Sequence, residues 1–278
     1  MRLVSYRAQA GRSYGVLVEG GVVDLKALGF GDTLRGVLEA GRLPEVAAAV
    51  RGRAADLALE AVELEAPIPD PHLILAVGAN YADHAAEMQR EILGDPIFFT
   101  RFPSSVVAQG QPILKPKVSD HLDYEGELAV VIGRTGRHIP EEAAEDYIAG
   151  YTIFNDGTIR DYQQVSIVVG KNFEASGAVG PWMATPDELA FPLTVETRVN
   201  GERRQRANTD TMIFAIPRLI AYASSFTTLR PGDVIATGTP AGVGMRRTPP
   251  SWLAEGDRIE IEISGLGVLS NPVRNELR

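Results

Sequence analysis

Apolar residues fall along this chain in short blocks, and most blocks carry the two-residue period of a strand rather than the 3.6-residue period of a helix. Near the start, the pattern predicts short strands at residues 2–6, 14–19 and 22–25. Helical stretches follow at 33–40 and 44–51, with Thr33 placed to cap the first and Gly41 to end it. The proline-rich run Ala66-Pro67-Ile68-Pro69-Asp70-Pro71 then reads as a stiff connector of the kind found at domain boundaries. Residues 1–68 are therefore expected to form a small α/β unit, and residues 69–278 the main domain.

After the connector, a buried strand at 73–78 runs into a helical stretch at 79–88, and a second strand at 96–101 ends in a polar turn at 102–105. Residues 140–150 carry helix signals: Pro140 suits a first helical position, and Glu141 and Glu142 favour a first turn. A strand at 151–156 ends in the carboxylate of Asp156. Residues 193–200 alternate and close on Asn200-Gly201, a hairpin turn signal. An apolar helix with Pro217 in its first turn is predicted at 216–226, and strands at 258–263 and 268–269. Many short strands with few helices predict an α+β protein whose main domain is β-rich and of mixed topology.

Composition narrows the function classes. At 278 residues and 45% hydrophobic content the chain is long and apolar enough for a sizeable core. Its formal net charge of −9 disfavours nucleic acid and anionic membranes as partners, because both reward dense Lys/Arg patches. The absence of cysteine removes disulfides, thiol nucleophiles and thiolate metal sites, so any metal must be held by oxygen or imidazole. No run reaches the ~18 apolar residues of a membrane span, and the first residues lack a signal-peptide core. The expectation is a soluble cytoplasmic protein.

The chemically unusual stretch is Leu122-Asp123-Tyr124-Glu125-Gly126-Glu127-Leu128-Ala129-Val130-Val131-Ile132-Gly133. From Glu127 onward it reads as a buried strand, and side chains at i and i+2 of a strand share one face, about 7 Å apart. Two carboxylates on one buried face repel unless a hard divalent cation coordinates them. The alternative is an edge strand whose glutamates face water. If residues 79–88 are helical, His84 and Glu87 sit on one face, a candidate general base and its orienting carboxylate, or else a solvated helix face. Lys171 lies between apolar neighbours, either snorkelling to the surface or held near anions. The loop Thr237-Gly238-Thr239-Pro240-Ala241-Gly242-Val243-Gly244 offers backbone N–H groups and hydroxyls to an anion, without the lysine of a phosphate-binding loop.

Taken together, Asn80-Tyr81-Ala82-Asp83-His84-x-x-Glu87-Met88, Asp123-Tyr124-Glu125-Gly126-Glu127-Leu128, Asp156 with Arg160-Asp161-x-Gln163, Gly170-Lys171-Asn172-Phe173, Gly180-Pro181-Trp182 and the 237–244 loop resemble the fumarylacetoacetate hydrolase superfamily, in its order, over about residues 70–273. The resemblance implies a β-rich fumarylacetoacetase C-terminal-like fold, a mixed sheet roll or barrel. It also implies a Mg²⁺ site, in which Mn²⁺ or Ca²⁺ can substitute, and a homodimer. Position by position it implies Glu125, Glu127 and Asp156 as metal ligands, and Lys171 as the active-site lysine. His84 and Glu87 become a mobile water-activating pair, and Tyr81, Arg160, Gln163, Gly238 and Thr239 substrate contacts. Two positions depart from many smaller relatives, which have a lysine-proline pair where Arg101-Phe102 stands and a second histidine nearer the carboxylates than His121.

The expected substrate is a small 2-oxo or 2,4-dioxo carboxylate, and the expected reaction proceeds through a metal-stabilised enolate. An intact His84/Glu87 pair favours hydrolysis of a C–C bond in an acylpyruvate-like acid. Decarboxylation, tautomerisation or isomerisation, and hydratase or lyase chemistry use the same enolate and stand as alternatives. Residues 80–94, which carry the proposed base, are expected to act as a lid.

Overall fold

A computed structural model describes residues 1–277. Two sheets dominate it. The larger has eleven strands, and its main path runs Gly21–Asp24, Gly11–Val18, Arg2–Ala8, Gly177–Ala184, Ile148–Asn155, Gly126–Ile132, Val234–Ala236, Ile74–Gly78, Ile97–Arg101. Its two ends do not meet, so among the described residues the sheet is open and forms no closed barrel. The second sheet has five strands, in the order Glu202–Asn208, Thr194–Val199, Arg258–Ile263, Gly267–Asn275, Ile113–Lys115.

The N-terminal unit joins the main sheet directly. Arg2–Ala8 pairs with Gly177–Ala184 through Arg2↔Ala184 and Leu3↔Met183. The helices Leu34–Glu39 and Leu43–Val50 cover this end of the sheet, the first capped by Thr33, whose hydroxyl accepts from Gly36 N. Their buried Leu34, Val37, Leu38, Val46 and Val50 share one cluster with Leu3 and Val16, and also with Val131, Ala149 and Met183 of the main domain.

Strand alternation decides what each face of Gly126–Ile132 sees. Leu128, Val130 and Ile132 face the five-stranded sheet and pack with Val195, Ile259, Ile261 and Leu269 in the largest core cluster. Gly126 belongs to this face, and only a bare Cα fits there: a Cβ would run into Thr197 Oγ1 and crowd Ile261 Cγ2 at 3.2 Å. The opposite face carries Glu127 and Ala129, and it is covered by short helices and loops rather than by a sheet.

One expected helix is shorter and more tightly wound than its signals suggest. Residues 140–150 form a 3₁₀ segment at Glu141–Tyr147 and then enter the strand Ile148–Asn155. Sheet pairing wins because Gly150 lets that strand approach Ala184 so closely that a Cβ would strike its carbonyl. The hairpin at Asn200-Gly201 forms as expected, with φ of 53° and 80° at the two turn residues. The helix Ile216–Phe226 has the predicted bounds. Among the described residues no helix is long and apolar enough to cross a membrane.

Gly126→Ala is expected to destabilise the fold by about 1–3 kcal/mol through overpacking. Thr197 Oγ1 makes no hydrogen bond, so Thr197→Ala in the same chain should recover most of that loss. Denaturant titration of the two single variants and the double variant measures it, and additive losses would show that the collision is not the cause.

Candidate active site

Strand register assembles the candidate site. Gly126 pairs with Asn155 and Glu127 with Phe154, which sets Asp156, one residue past its strand, opposite Glu125; the Asp156 N–H donates to Glu125 O at 2.9 Å. On the other side, Val234–Ala236 pairs through Ala129↔Ala236 and delivers the loop beginning at Thr237 to the same sheet end. Thr237 donates its N–H and its hydroxyl to Leu128 O. Gly238 adopts φ +99°, in the left-handed region, which turns its N–H onto Glu127 Oε2 at 2.8 Å; a Cβ there would lie 2.7 Å from Asn80 Cβ.

One oxygen from each of Glu125, Glu127 and Asp156 lies within 4.8 Å of the other two, and the three residues are 6%, 1% and 0% exposed. Their partners are unequal. Glu125 takes Lys171 Nζ at 2.6 Å and Arg160 Nη2 at 2.7 Å, the latter off-axis. Asp156 takes Arg101 Nη1 at 2.6 Å on one oxygen and has Lys171 Nζ 2.6 Å from the other. Glu127 has only the Gly238 N–H, and its Oε1 is buried with no partner. With Asp123, four buried carboxylates face three buried cations, Arg101, Arg160 and Lys171, and the uncompensated charge is that of Glu127.

The proton affinities follow from this imbalance. Burial pushes Glu125 up, but Lys171, then Arg160 and His84, outweigh it and hold the carboxyl at about 2. Burial, with the adjacent charges of Asp156 and Glu125, raises Glu127 well above the usual glutamate range. An unpaired buried carboxylate oxygen beside two fixed carboxylates is the donor set that a hard divalent cation satisfies. The trio can hold such an ion.

Short helices close the cation side. Arg160–Gln163 and Ile167–Lys171 pack so tightly that a Cβ on Gly170 would lie 2.6 Å from Gln163 Cα. Ser166 caps the second by accepting from Val169 N, and its last residue, Lys171, points inward to donate to Asp156 O at 2.9 Å as well as to Glu125. Facing them is the helix Ala82–Glu87. There His84 Nδ1 lies 3.2 Å from Glu87 Oε2, and Gly242 N–H donates to both Glu87 oxygens at 3.0 and 3.2 Å. With Nδ1 so engaged, Nε2 is the ring nitrogen left for chemistry.

A tight cleft with an inner volume of about 20 Å³ lies between these walls, lined by His84, Glu125, Arg160, Gln163, Lys171 and Thr239 among others. That is room for about one water molecule, so the walls must part before a small-molecule substrate can enter. Six of the residues singled out from sequence thus share one cavity. Glu87 stands behind His84, Glu127 and Asp156 lie beneath Glu125, and Gly238 acts through Glu127. Tyr81 does not line the cleft: its buried hydroxyl has no hydrogen-bond partner, and burial and the nearby Glu127 push its pKa up. His121 stays near the surface, edge-on to Trp252.

Four positioning residues escaped the sequence reading of the site. Asp123 accepts from Arg160 Nε, Gly244 N and Met245 N at 2.8, 2.7 and 3.1 Å, tying a helix to the Gly/Thr loop. Gln205 accepts from Gly126 N and donates to Thr239 Oγ1 and Pro240 O. Asn80 bridges Thr237 O and both backbone groups of Phe214. Arg101, fully buried, distributes its N–H groups over Ser105, Asp156, Gly157 O and Ser176. Asp123 and Asn80 stand inside the quoted motifs. Arg101 carried its place at a strand end and its departure from the lysine of smaller relatives, neither of which pointed to Asp156, and Gln205 only its inward position in an otherwise polar strand.

A β-rich fold with a buried carboxylate trio, able to hold a metal ion, under a small cleft is the scaffold of an enzyme. Residues 73–274 match the family described as "Fumarylacetoacetate (FAA) hydrolase C-terminal", and the chain belongs to that family as one of its enzymes. A mitochondrial oxaloacetate tautomerase of Xenopus laevis, fahd2, is 39% identical over 287 residues, covering 98% of this chain and 90% of that protein. The oxaloacetate tautomerase YisK of Bacillus subtilis (strain 168) is 46% identical over 223 residues, 77% of this chain and 74% of that protein. Among solved structures, a fumarylacetoacetate hydrolase of Exiguobacterium antarcticum superposes with a TM-score of 0.87 at 38% identity, covering 99% of this chain and 100% of that one. A maleylpyruvate hydrolase of Sphingobium sp. SYK-6, in complex with manganese(II) and pyruvate, does so at 0.84 and 31% identity, with 100% of both chains covered.

Glu127 gives a pH signature. A raised native pKa means that its contribution to stability is complete below the ordinary glutamate value, about 4.3, and is lost as pH rises through the native value. Glu125 has the opposite sign, stabilising above that value and ceasing to do so as pH falls towards about 2. In EDTA the melting temperature should therefore fall as pH rises through the raised Glu127 range, by about 2–4 °C for each kcal/mol lost. Glu127→Gln should flatten the fall, and added Mg²⁺ should reverse it in the unmodified protein. Scanning calorimetry with an unchanged slope in the variant would sink the assignment.

Proposed function

We propose that the protein is a divalent-cation-dependent tautomerase of oxaloacetate-type 2-oxo acids, interconverting their enol and keto forms. The observation that carries the reading is the unpartnered, buried Glu127 oxygen within the carboxylate trio, set beneath a cleft whose opposite wall presents His84 backed by Glu87. Support comes also from the tautomerase relatives, one of which aligns with 98% of the chain.

Held by Glu125, Glu127 and Asp156, a Mg²⁺ or Mn²⁺ ion would act as a Lewis acid on a chelating 2-oxo acid and acidify its C3–H bond. The chain's own groups do the rest. Lys171 balances Glu125 and Asp156 and holds positive charge where negative charge builds on the substrate 2-oxygen. Arg160, aligned by Asp123 and Gln163, fixes the neighbouring wall. His84 takes the C3 proton at Nε2, Glu87 stabilises the imidazolium so formed, and the proton is returned to the substrate on its 2-oxygen. Thr239 is held in place on both sides, donating to Gly126 O and accepting from Gln205 Nε2.

Hydrolysis of an acylpyruvate is the second reading, favoured by the same His84/Glu87 pair, which can equally activate water. The manganese and pyruvate complex of the maleylpyruvate hydrolase supports it. One assay separates the two: ultraviolet decay of enol-oxaloacetate with Mg²⁺, beside pyruvate release from acylpyruvates and CO₂ release from oxaloacetate. Acceleration of the enol decay is expected. His84→Ala should cut it roughly 100-fold or more without loss of Mg²⁺ binding. Glu127→Ala should abolish both binding and activity. Acylpyruvate cleavage by a protein that leaves the enol decay unchanged would replace the tautomerase with the hydrolase.

A further inference from the structure

Resting on the 2-oxo acid reading, we infer that Arg90 binds the distal carboxylate and makes the site selective for dicarboxylic substrates. Charge leads to it. Arg160 and Lys171, the two cations of the inner wall, are already paired with Asp123, Glu125 and Asp156. A divalent ion on the trio leaves about one net positive charge, enough for the carboxylate beside the 2-oxo group. The second carboxylate of a dianion needs another cation. Arg90 is the remaining arginine or lysine lining the cleft, and among the described residues its side chain has no ion pair and no hydrogen bond.

Its placement is built by the backbone. The helix Ala82–Glu87 ends in a Schellman turn: Gln89 N–H donates to Ala86 O at 3.0 Å and Arg90 N–H to Ala85 O at 2.9 Å. The left-handed position of that turn, usually glycine, is Gln89 at φ +53°. The following position, where an apolar residue usually packs back on the helix, holds an arginine. The turn is tied to the Gly/Thr loop at two points, by Gly242 N–H on Glu87 and by Arg246 Nη2 on Met88 O at 3.1 Å. Arg90 is therefore brought over the cleft by the same helix that carries His84, so base and anion partner arrive together. A guanidinium suits the task because it meets a carboxylate with two parallel N–H groups.

The test uses a matched pair of four-carbon acids, oxaloacetate and 2-oxobutanoate, which differ by a carboxylate in place of a methyl group. Affinities for the Mg²⁺-loaded protein are measured by calorimetry, and proton exchange at C3 in D₂O by NMR. Arg90→Gln should weaken oxaloacetate about tenfold or more and leave 2-oxobutanoate within about twofold. Arg90→Lys, which keeps the charge without the fork, should fall between. Arg90 is exposed, so the fold should tolerate both changes, and 2-oxobutanoate binding reports whether it has. Equal losses for the two acids, or none, would overturn the assignment. If Arg90-dependent oxaloacetate binding persists in a protein that does not speed enol decay, the tautomerase reading falls and this one stands. Faster enol decay with unchanged oxaloacetate affinity in Arg90→Gln gives the reverse.

Discussion

Three carboxylates pressed together in a buried wall are the constraint to which the rest of the main domain answers. Each would lose several kcal/mol of hydration without compensation. Asp156 and Glu125 are compensated by Arg101, Arg160 and Lys171, placed by a strand end and two short helices. Glu127 is left to a single backbone N–H. The arrangement stores an unmet demand for positive charge at one point, and that point lies under the cleft.

The same demand organises the loops. Gly238 reaches Glu127, Asp123 gathers Gly244 and Met245, and Gln205 locks Thr239 to the strand that carries the carboxylates. Sheet end, helix ends and loop thus form one connected set of hydrogen bonds, charge-assisted where Glu127 and Asp123 accept. His84 belongs to it only at one remove, through Glu87 and Gly242. That looser attachment fits a group that has to carry a proton rather than hold charge still.

Much of the candidate site can be read from the chain alone because its chemistry is local. Spacing along a strand or within one helical turn draws attention to Glu125, Glu127, His84 and Glu87, and apolar surroundings to Lys171, but each leaves a solvated alternative open that the family resemblance, not the spacing, closes. No such spacing marks Arg101, Gln205 and Arg90, because their roles come from register and turn geometry that join distant segments. The helix signalled at 140–150 stops at Tyr147 for a related reason: from Ile148 its local signals are outweighed by a sheet partner some thirty residues away. The sequence favoured the hydrolase because of the His84/Glu87 pair, whereas the similar oxaloacetate tautomerases favour the alternative; one electrostatic frame stabilises the same developing charge in both. What divides them is whether His84 handles a carbon-bound proton or a water.

The pairing of Arg2–Ala8 with Gly177–Ala184 bears on how the protein stays in solution. Val131, Ala149 and Met183 of the main domain are dry because Leu3, Val16 and the helices of the first fifty residues lie over them. A chain starting at residue 69 would present that apolar surface together with the unpaired backbone of a sheet edge, the combination most prone to stick to its own kind. The first fifty residues line no part of the cleft, yet they cover an apolar face and a strand of the sheet that carries it.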